Sequence, residues 1–307
     1  MSNLLLLLAC LAAGLLLRRF ERVPDNAQAA LNAVIVHVCL PAAALHHLHG
    51  FSFERGHALS VLMPWLLFAL GAAVFWWLGR VLRLPRATVG ALTLVGGLGN
   101  TSFVGLPMIE SLHGRDGLPL GLLIDQLGSY LALSTVGVVV ATWYAAEGRL
   151  TVRDLARKVA TFPPFVALLL ALALTDVPFP PALHSALARI GDTMAPLALL
   201  SVGLQLRFDA LRDQSRALCA GLTYKLLVCP ALVVAVLWAL DIETGMVARV
   251  SVIEAAMPPM IGAGIVAAQA KLDVRLVSAL IGIGVPLGVS TAALWFWLFG
   301  ALGAISA

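Results

Sequence analysis

Among the ionisable residues that stand inside runs of apolar sequence are Asp125, Arg189, Asp192, Lys225 and Glu254. A charge at membrane depth is costly, so each of them is expected to have a partner or a task. Lys225 poses the question most sharply. A compact ammonium in the middle of an apolar run can hold the carboxylate of an organic anion, or it can be the structural partner of a resident carboxylate. Glu254 and Asp125 are the resident candidates. Either can carry a proton or bind a cation, and either can neutralise Lys225. Arg189 and Asp192 are spaced three apart, which on a helix turns them toward each other, and they read as a static internal pair. Near these charges stand neutral hydrogen-bonding groups, Asn100, Thr101, Ser102, Gln126 and Ser129. An amide or hydroxyl can contact a carboxylate without the desolvation cost of a full charge. The chemistry on offer is recognition of a small anion.

Two stretches can bring such groups to mid-membrane. The first is Gly96-Gly97-Leu98-Gly99-Asn100-Thr101-Ser102-Phe103-Val104-Gly105-Leu106-Pro107, and the second is Ala256-Met257-Pro258-Pro259-Met260-Ile261-Gly262-Ala263-Gly264. Glycines such as Gly99 and Gly105, with Pro107, make an uninterrupted helix improbable in the first. Pro258 and Pro259 remove two successive amide donors in the second, so carbonyls are freed and must find partners or water. Broken helices at matching places in a membrane chain point to a transport site, and the downstream half-helices would direct unpaired N–H groups and a positive dipole end at an anion.

Apolar windows between charged or Pro/Gly punctuation predict ten spans, at 3–17, 26–48, 58–80, 87–112, 118–145, 159–175, 182–206, 216–240, 246–270 and 274–300. The loops after the odd-numbered spans carry 15 of the 20 Lys and Arg, and the opposite loops carry only Arg55 and Arg115. By the positive-inside rule both termini then face outward, on the periplasmic side of an inner membrane. The halves also resemble each other. Pro41 and Phe53 repeat as Pro196 and Phe208 at an offset of 155, Asp116 repeats as Asp273 at 157, and Ser134-Thr135 repeats as Ser290-Thr291 at 156. Five spans per unit is an odd number, so the second copy would be inverted. The expected division is 1–147 and 159–307, joined by a cytoplasmic linker at 148–158.

Composition narrows the function classes. With 61% hydrophobic and 12% charged residues, the 307-residue chain has about half the charge of a soluble domain, and ten spans leave no room for a soluble catalytic one. The basic residues are dispersed among loops, so nucleic acid is not an expected partner. Cys10, Cys39, Cys219 and Cys229 lie in apolar runs without ligand spacing and read as small core residues. His46, His47 and His49 cluster near a span end and are read as solvated, with no metal expected. Neither a Walker A sequence nor a His-Glu-x-x-His motif occurs. An enzyme is not expected.

Gly99-Asn-Thr-Ser-Phe-Val-Gly-Leu-Pro107, Lys225-Leu-Leu-Val-Cys-Pro230, Ala255-Ala-Met-Pro258, and the pair Leu40-Pro41 and Ala195-Pro196-Leu197 resemble the auxin efflux carrier family, including its bacterial malonate or malate permeases. The resemblance spans the whole chain. It implies an all-α polytopic fold like that of the bile acid/sodium symporters. In that fold ten helices form two inverted five-helix repeats, with helices one, two, six and seven as scaffold and broken helices four and nine crossing at their prolines. It implies carriage of a small carboxylate such as malonate, malate or an auxin-like acid by alternating access. An anion channel or signalling membrane protein of the same fold is the alternative. The expected contacts are Asn100, Thr101, Ser102, Lys225, Gln126, Ser129 and Leu40. No cofactor is expected beyond coupling to H⁺ or Na⁺, and the expected partners are the anion, the bilayer and, left open, a second copy.

Overall fold

The computed structural model describes residues 2–24, 26–52, 55–145, 153, 157, 159–206, 215–242 and 245–305, and among these it is helical with no strand. Helix α1 spans Ser2–Arg19, α2 Ala27–Leu48 and α3 Arg55–Val81. Helix α4 runs from Arg86–Ala91 into a wide π-type turn, Leu92–Gly96; α5 opens with another, Thr101–Gly105, and continues through Leu106–His113. Then follow α6 Arg115–Tyr144, α7 Pro163–Ala173, α8 Pro181–Gln205 and α9 Ser215–Ala239. The last three are α10 Met246–Ala255, α11 Ile261–Gln269 and α12 Val274–Ile305.

Six of these segments are long and apolar enough to cross a membrane: Ala27–Leu48, Gly56–Val81, Arg115–Tyr144, Pro181–Gln205, Ser215–Ala239 and Val274–Ala301. The protein is a multi-pass membrane protein. Three of the expected spans have a different form: the fourth and ninth are each split into two short helices, and the sixth contracts to the 11 residues Pro163–Ala173, while the first, expected at 3–17, is the helix Ser2–Arg19.

Close packing replaces the hydrophobic drive that lipid cannot supply. Helix α1 lies along α8, where a Cβ on Gly14 would stand 2.9 Å from the Cα of Gly203, so the two backbones touch. Helix α2 packs on α7 and α8, and Gly191 meets the Cα of Ala43 in the same manner. A second set of contacts joins α3 to α6 and α10, and α12 to α9, α10 and α11. Pro64, inside α3, presses on Gly128 of α6, where an added Cβ would fall 2.7 Å from the proline ring. Large side chains including Leu66, Trp143, Trp238 and Trp297 are exposed outward, as suits a surface facing acyl chains.

The cysteines depart from the expectation in one place. Cys39 and Cys229 are buried, but Cys219 lies on the exposed face of α9.

Candidate functional site

The breaks fall where the donors run out. Helix α4 ends at Gly97 and α5 begins at Thr101; α10 ends at Ala255 and α11 begins at Ile261. The two gaps meet as a single antiparallel bridge, Gly99 opposite Pro259. The Asn100 amide donates to Pro258 O at 2.8 Å and the Met260 amide donates to Leu98 O at 3.0 Å. Carbonyls that two half-helices would leave orphaned in a bilayer are thus satisfied reciprocally. Pro258 and Pro259 lie in the break, as the sequence suggested, and so does Gly99. Gly105 and Pro107 do not: Gly105 closes the π turn of α5, and Pro107 is in the first turn of the α-helical segment that follows. Pro107 is the seventh residue of α5, so its missing N–H leaves a carbonyl of the preceding π turn without a helical donor, which favours that wide turn without opening a gap.

Lys225 sits against this bridge. It is 2% exposed, and its Nζ donates to Ala255 O at 3.1 Å. In a continuous helix that carbonyl would accept from residue 259, but residue 259 is a proline. Lys225 therefore caps the negative end of α10. A Cβ on Gly99 would stand 2.9 Å from the Nζ, so glycine is required for this approach.

Both carboxylates are buried, in unlike settings. Asp125 Oδ1 accepts from Thr101 Oγ1 at 2.6 Å and from Ser102 Oγ at 2.5 Å, tying α6 to the start of α5. Glu254, 1% exposed, has no hydrogen-bond partner at either oxygen. Its carboxyl lies on the backbones of α5 and α6: a Cβ on Gly105 would be 2.5 Å from Oε2, and one on Gly121 would be 3.5 Å from Oε1. Further buried polar atoms also lack partners here, namely Asn100 Nδ2, Ser129 Oγ and both amide atoms of Gln126. A small cavity is lined by Gly99, Thr101, Ser129, Lys225 and Glu254, with Met63, Pro64 and Leu67 of α3 closing it. Asn100, Ser102, Gln126 and Leu40 are not in that lining. Leu40 is a core residue of α2, with no polar group to offer.

Most of these polar residues share a local feature absent from the sequence reading. Thr101, Ser102, Asp125, Gln126, Ser129 and Lys225 all lie in π-type turns, over Thr101–Gly105, Ile124–Tyr130 and Tyr224–Val228. A π turn widens the helix and loosens its carbonyls. Trp65 captures Leu127 O at 2.9 Å and Trp295 captures Leu226 O at 3.0 Å, while Tyr224, itself in a π turn, donates to Leu67 O of α3 at 2.5 Å. Helix α3, which supplies Met63, Pro64 and Leu67, drew no attention in the sequence. A proline in mid-span was the available signal.

Two pairings are corrected. Asp192 does not pair with Arg189; it pairs with Arg115 at 2.8 Å, whose Nε also lies 3.9 Å from Glu110. Spacing along one helix allowed the first pair, but α8 turns at Thr193 and exposes Asp192 to the α5–α6 connection. His49 is not solvated either. Its Nε2 lies 3.0 Å from Leu174 O and 2.9 Å from Val177 O beyond the end of α7, and its ring stacks on Phe179. Among the described residues no cluster of three or more His, Cys, Asp or Glu is placed to hold a metal ion.

The chain is 26% identical over 302 residues to an uncharacterized transporter of Methanothermobacter thermautotrophicus, covering 96% of each chain. It is 23% identical over 308 residues to an uncharacterized transporter of Methanocaldococcus jannaschii, covering 97% of this chain and 98% of the relative. With a family model for membrane transport proteins matching residues 1–296, the chain belongs to the membrane transport protein family, that of the auxin efflux carriers.

Proposed function

We propose that this protein is a secondary transporter that moves a small organic anion across the membrane by alternating access. The observation that carries this reading is the pair of broken helices bridged to each other at Gly99 and Pro259, with a buried lysine at the bridge. Two half-helices start at this point, and the first amides of each have no acceptor in their own helix. With the Lys225 ammonium, the unpartnered Asn100 Nδ2 and the Ser129 hydroxyl, they suit a carboxylate, and no catalytic group is needed. The substrate class is a dicarboxylate such as malonate or malate, or an auxin-like acid.

The two-fold pattern of the bridge, in which residues on either side of Gly99 and Pro259 exchange hydrogen bonds, supports ten spans in two inverted repeats, 1–147 and 159–307. The contacts of α1 and α2 with α7 and α8, apart from the bundle that holds the breaks, support a scaffold against which the second bundle moves. Placement in the inner membrane with both termini on the periplasmic side completes the reading.

The test is counterflow. Protein in liposomes preloaded with unlabelled malonate, malate or indole-3-acetate should transiently concentrate the same labelled acid, with saturable rates. Flux that is linear in concentration and never overshoots would make it a channel, and the alternating-access reading would fall.

A further inference from the structure

We infer that Glu254, and not Asp125, carries a proton inward with the anion. The inference rests on the transport reading above and adds its energy source and the residue that holds it. The argument begins with charge. The buried cluster around the bridge contains one cation, Lys225, and two carboxyls, Asp125 and Glu254. Glu254 lies within electrostatic reach of both the others, while the remaining titratable neighbours of Lys225, the Cys229 thiol and the Tyr224 phenol of α9, carry no charge in their protonated forms. With all three ionised the cluster is net negative, and an incoming carboxylate would meet repulsion in a medium that screens little. One carboxyl must be neutral for the anion to bind.

Hydrogen bonding decides which. Asp125 receives two hydroxyl donors, Thr101 and Ser102, on one oxygen, a setting that serves the carboxylate form. Glu254 receives none on either oxygen, and its carboxyl rests on the bare backbones of Gly105 and Gly121, which offer it no charge. The neutral acid is the form this slot accommodates. Lys225 makes no ion pair with Glu254; its proton goes to the carbonyl of the next residue, Ala255. Adjacent acceptors let the ammonium exchange one for the other without leaving the bridge. When Glu254 gives up its proton to the inner water, Lys225 can turn from Ala255 O to the new carboxylate. The anion loses its partner, and Gly99, against which the Nζ packs, loses its support at the bridge. Proton release and anion release are thereby one event.

The full chain in liposomes tests this with the acid that shows counterflow. For wild type, an inward proton gradient should concentrate that acid about tenfold for each pH unit and each proton carried. A pH dye in the lumen should report acidification that depends on the labelled acid. Glu254→Gln should lose the accumulation, falling to the external level, while still exchanging labelled for unlabelled acid, because an amide imitates the neutral carboxyl. Asp125→Asn should not show that split. Gradient-driven accumulation in Glu254→Gln, or the same split in Asp125→Asn in its place, overturns the inference. So does wild-type transport that needs sodium and moves no protons, a measurement that holds even where the variants fail to insert. Absence of counterflow in wild type would instead overturn the transport reading, and this inference with it.

Discussion

At the scale of single residues the cluster is organised around one carbonyl. Ala255 O lost its helical donor to Pro259, and Lys225 supplies the replacement. Lys225 is thus a cap and, on the transport reading proposed above, also the anion's contact, and the two roles separate in a variant. Lys225→Met leaves a buried carbonyl unsatisfied and should lower stability by about 1 to 3 kcal/mol, measured by thermal unfolding in detergent. It should also abolish transport and the stabilisation that the transported acid gives the wild type. Since the partner is a neutral carbonyl, adding Glu254→Gln to Lys225→Met should not restore stability. Restoration would mean that Lys225 and Glu254 form a structural ion pair. Residue types alone located Lys225, Glu254 and Asp125 because charge in an apolar run is conspicuous. They did not reveal the partners. Asp192 finds Arg115 and Asp125 finds Thr101 across elements, and local spacing carries no information about such contacts.

At the scale of elements, prolines act according to position. Pro258 and Pro259 hold open a gap that the opposite gap fills through two backbone hydrogen bonds; Pro107 follows the π turn inside α5, where it takes the donor from one carbonyl but leaves the helix unbroken. Replacing Pro258 and Pro259 together with alanine should restore donors to α10, allow the helix to continue, and withdraw the bridge. The expected product is membrane-inserted and monodisperse, with uptake reduced about 100-fold, the loss that a misplacement of about 1 Å can cause at a functional centre. Pro107→Ala should transport nearly as wild type. Equal loss in both variants would show that the helix-five proline matters as much as the break. The sequence made the two interruptions legible because Gly and Pro leave strong local marks. It placed the first one too broadly, since Gly96 through Pro107 is a long permissive stretch and only tertiary pairing selects Leu98 to Asn100 as the gap. The π turns left no mark of their own. Each is one extra residue in a helix, and where a loosened carbonyl is captured, at Leu127 and Leu226, the donor is an indole of α3 or α12 that no window of adjacent residues contains.

At the scale of the whole molecule, three contacts fix which ends lie together, and they do so independently of charge statistics. Arg86, at the start of α4, donates to Trp143 O near the end of α6, and its guanidinium faces the Tyr144 ring. Thr88, two residues on, donates to Asp273 Oδ2 at 2.8 Å, and Asp273 also accepts from the Leu276 amide to cap α12. The start of α4, the end of α6 and the start of α12 therefore share one face. Arg115 lies at the other end of α6, 30 residues long and enough to cross the bilayer, so its ion pair with Asp192 belongs to the opposite face. The basic residues Arg80, Arg83, Arg86, Lys271 and Arg275 belong to the first face, which the proposed orientation, read from the positive-inside rule, assigns to the cytoplasm. The linker region at Thr151 and the loop position Thr244, which the sequence placed inside and outside, lie outside the described residues, so the test moves to positions whose neighbours are known. In a variant free of native cysteines, single cysteines at Asp116 and Gly245 should react with an impermeant maleimide added to intact cells. Single cysteines at Arg83 and Lys271 should react only after the membrane is opened. Arg83 and Asp116 flank the broken α4–α5 segment, so labelling of both from one side would mean that this segment enters and leaves by the same face. The crossing of two spanning, interrupted helices would then be replaced by a re-entrant loop.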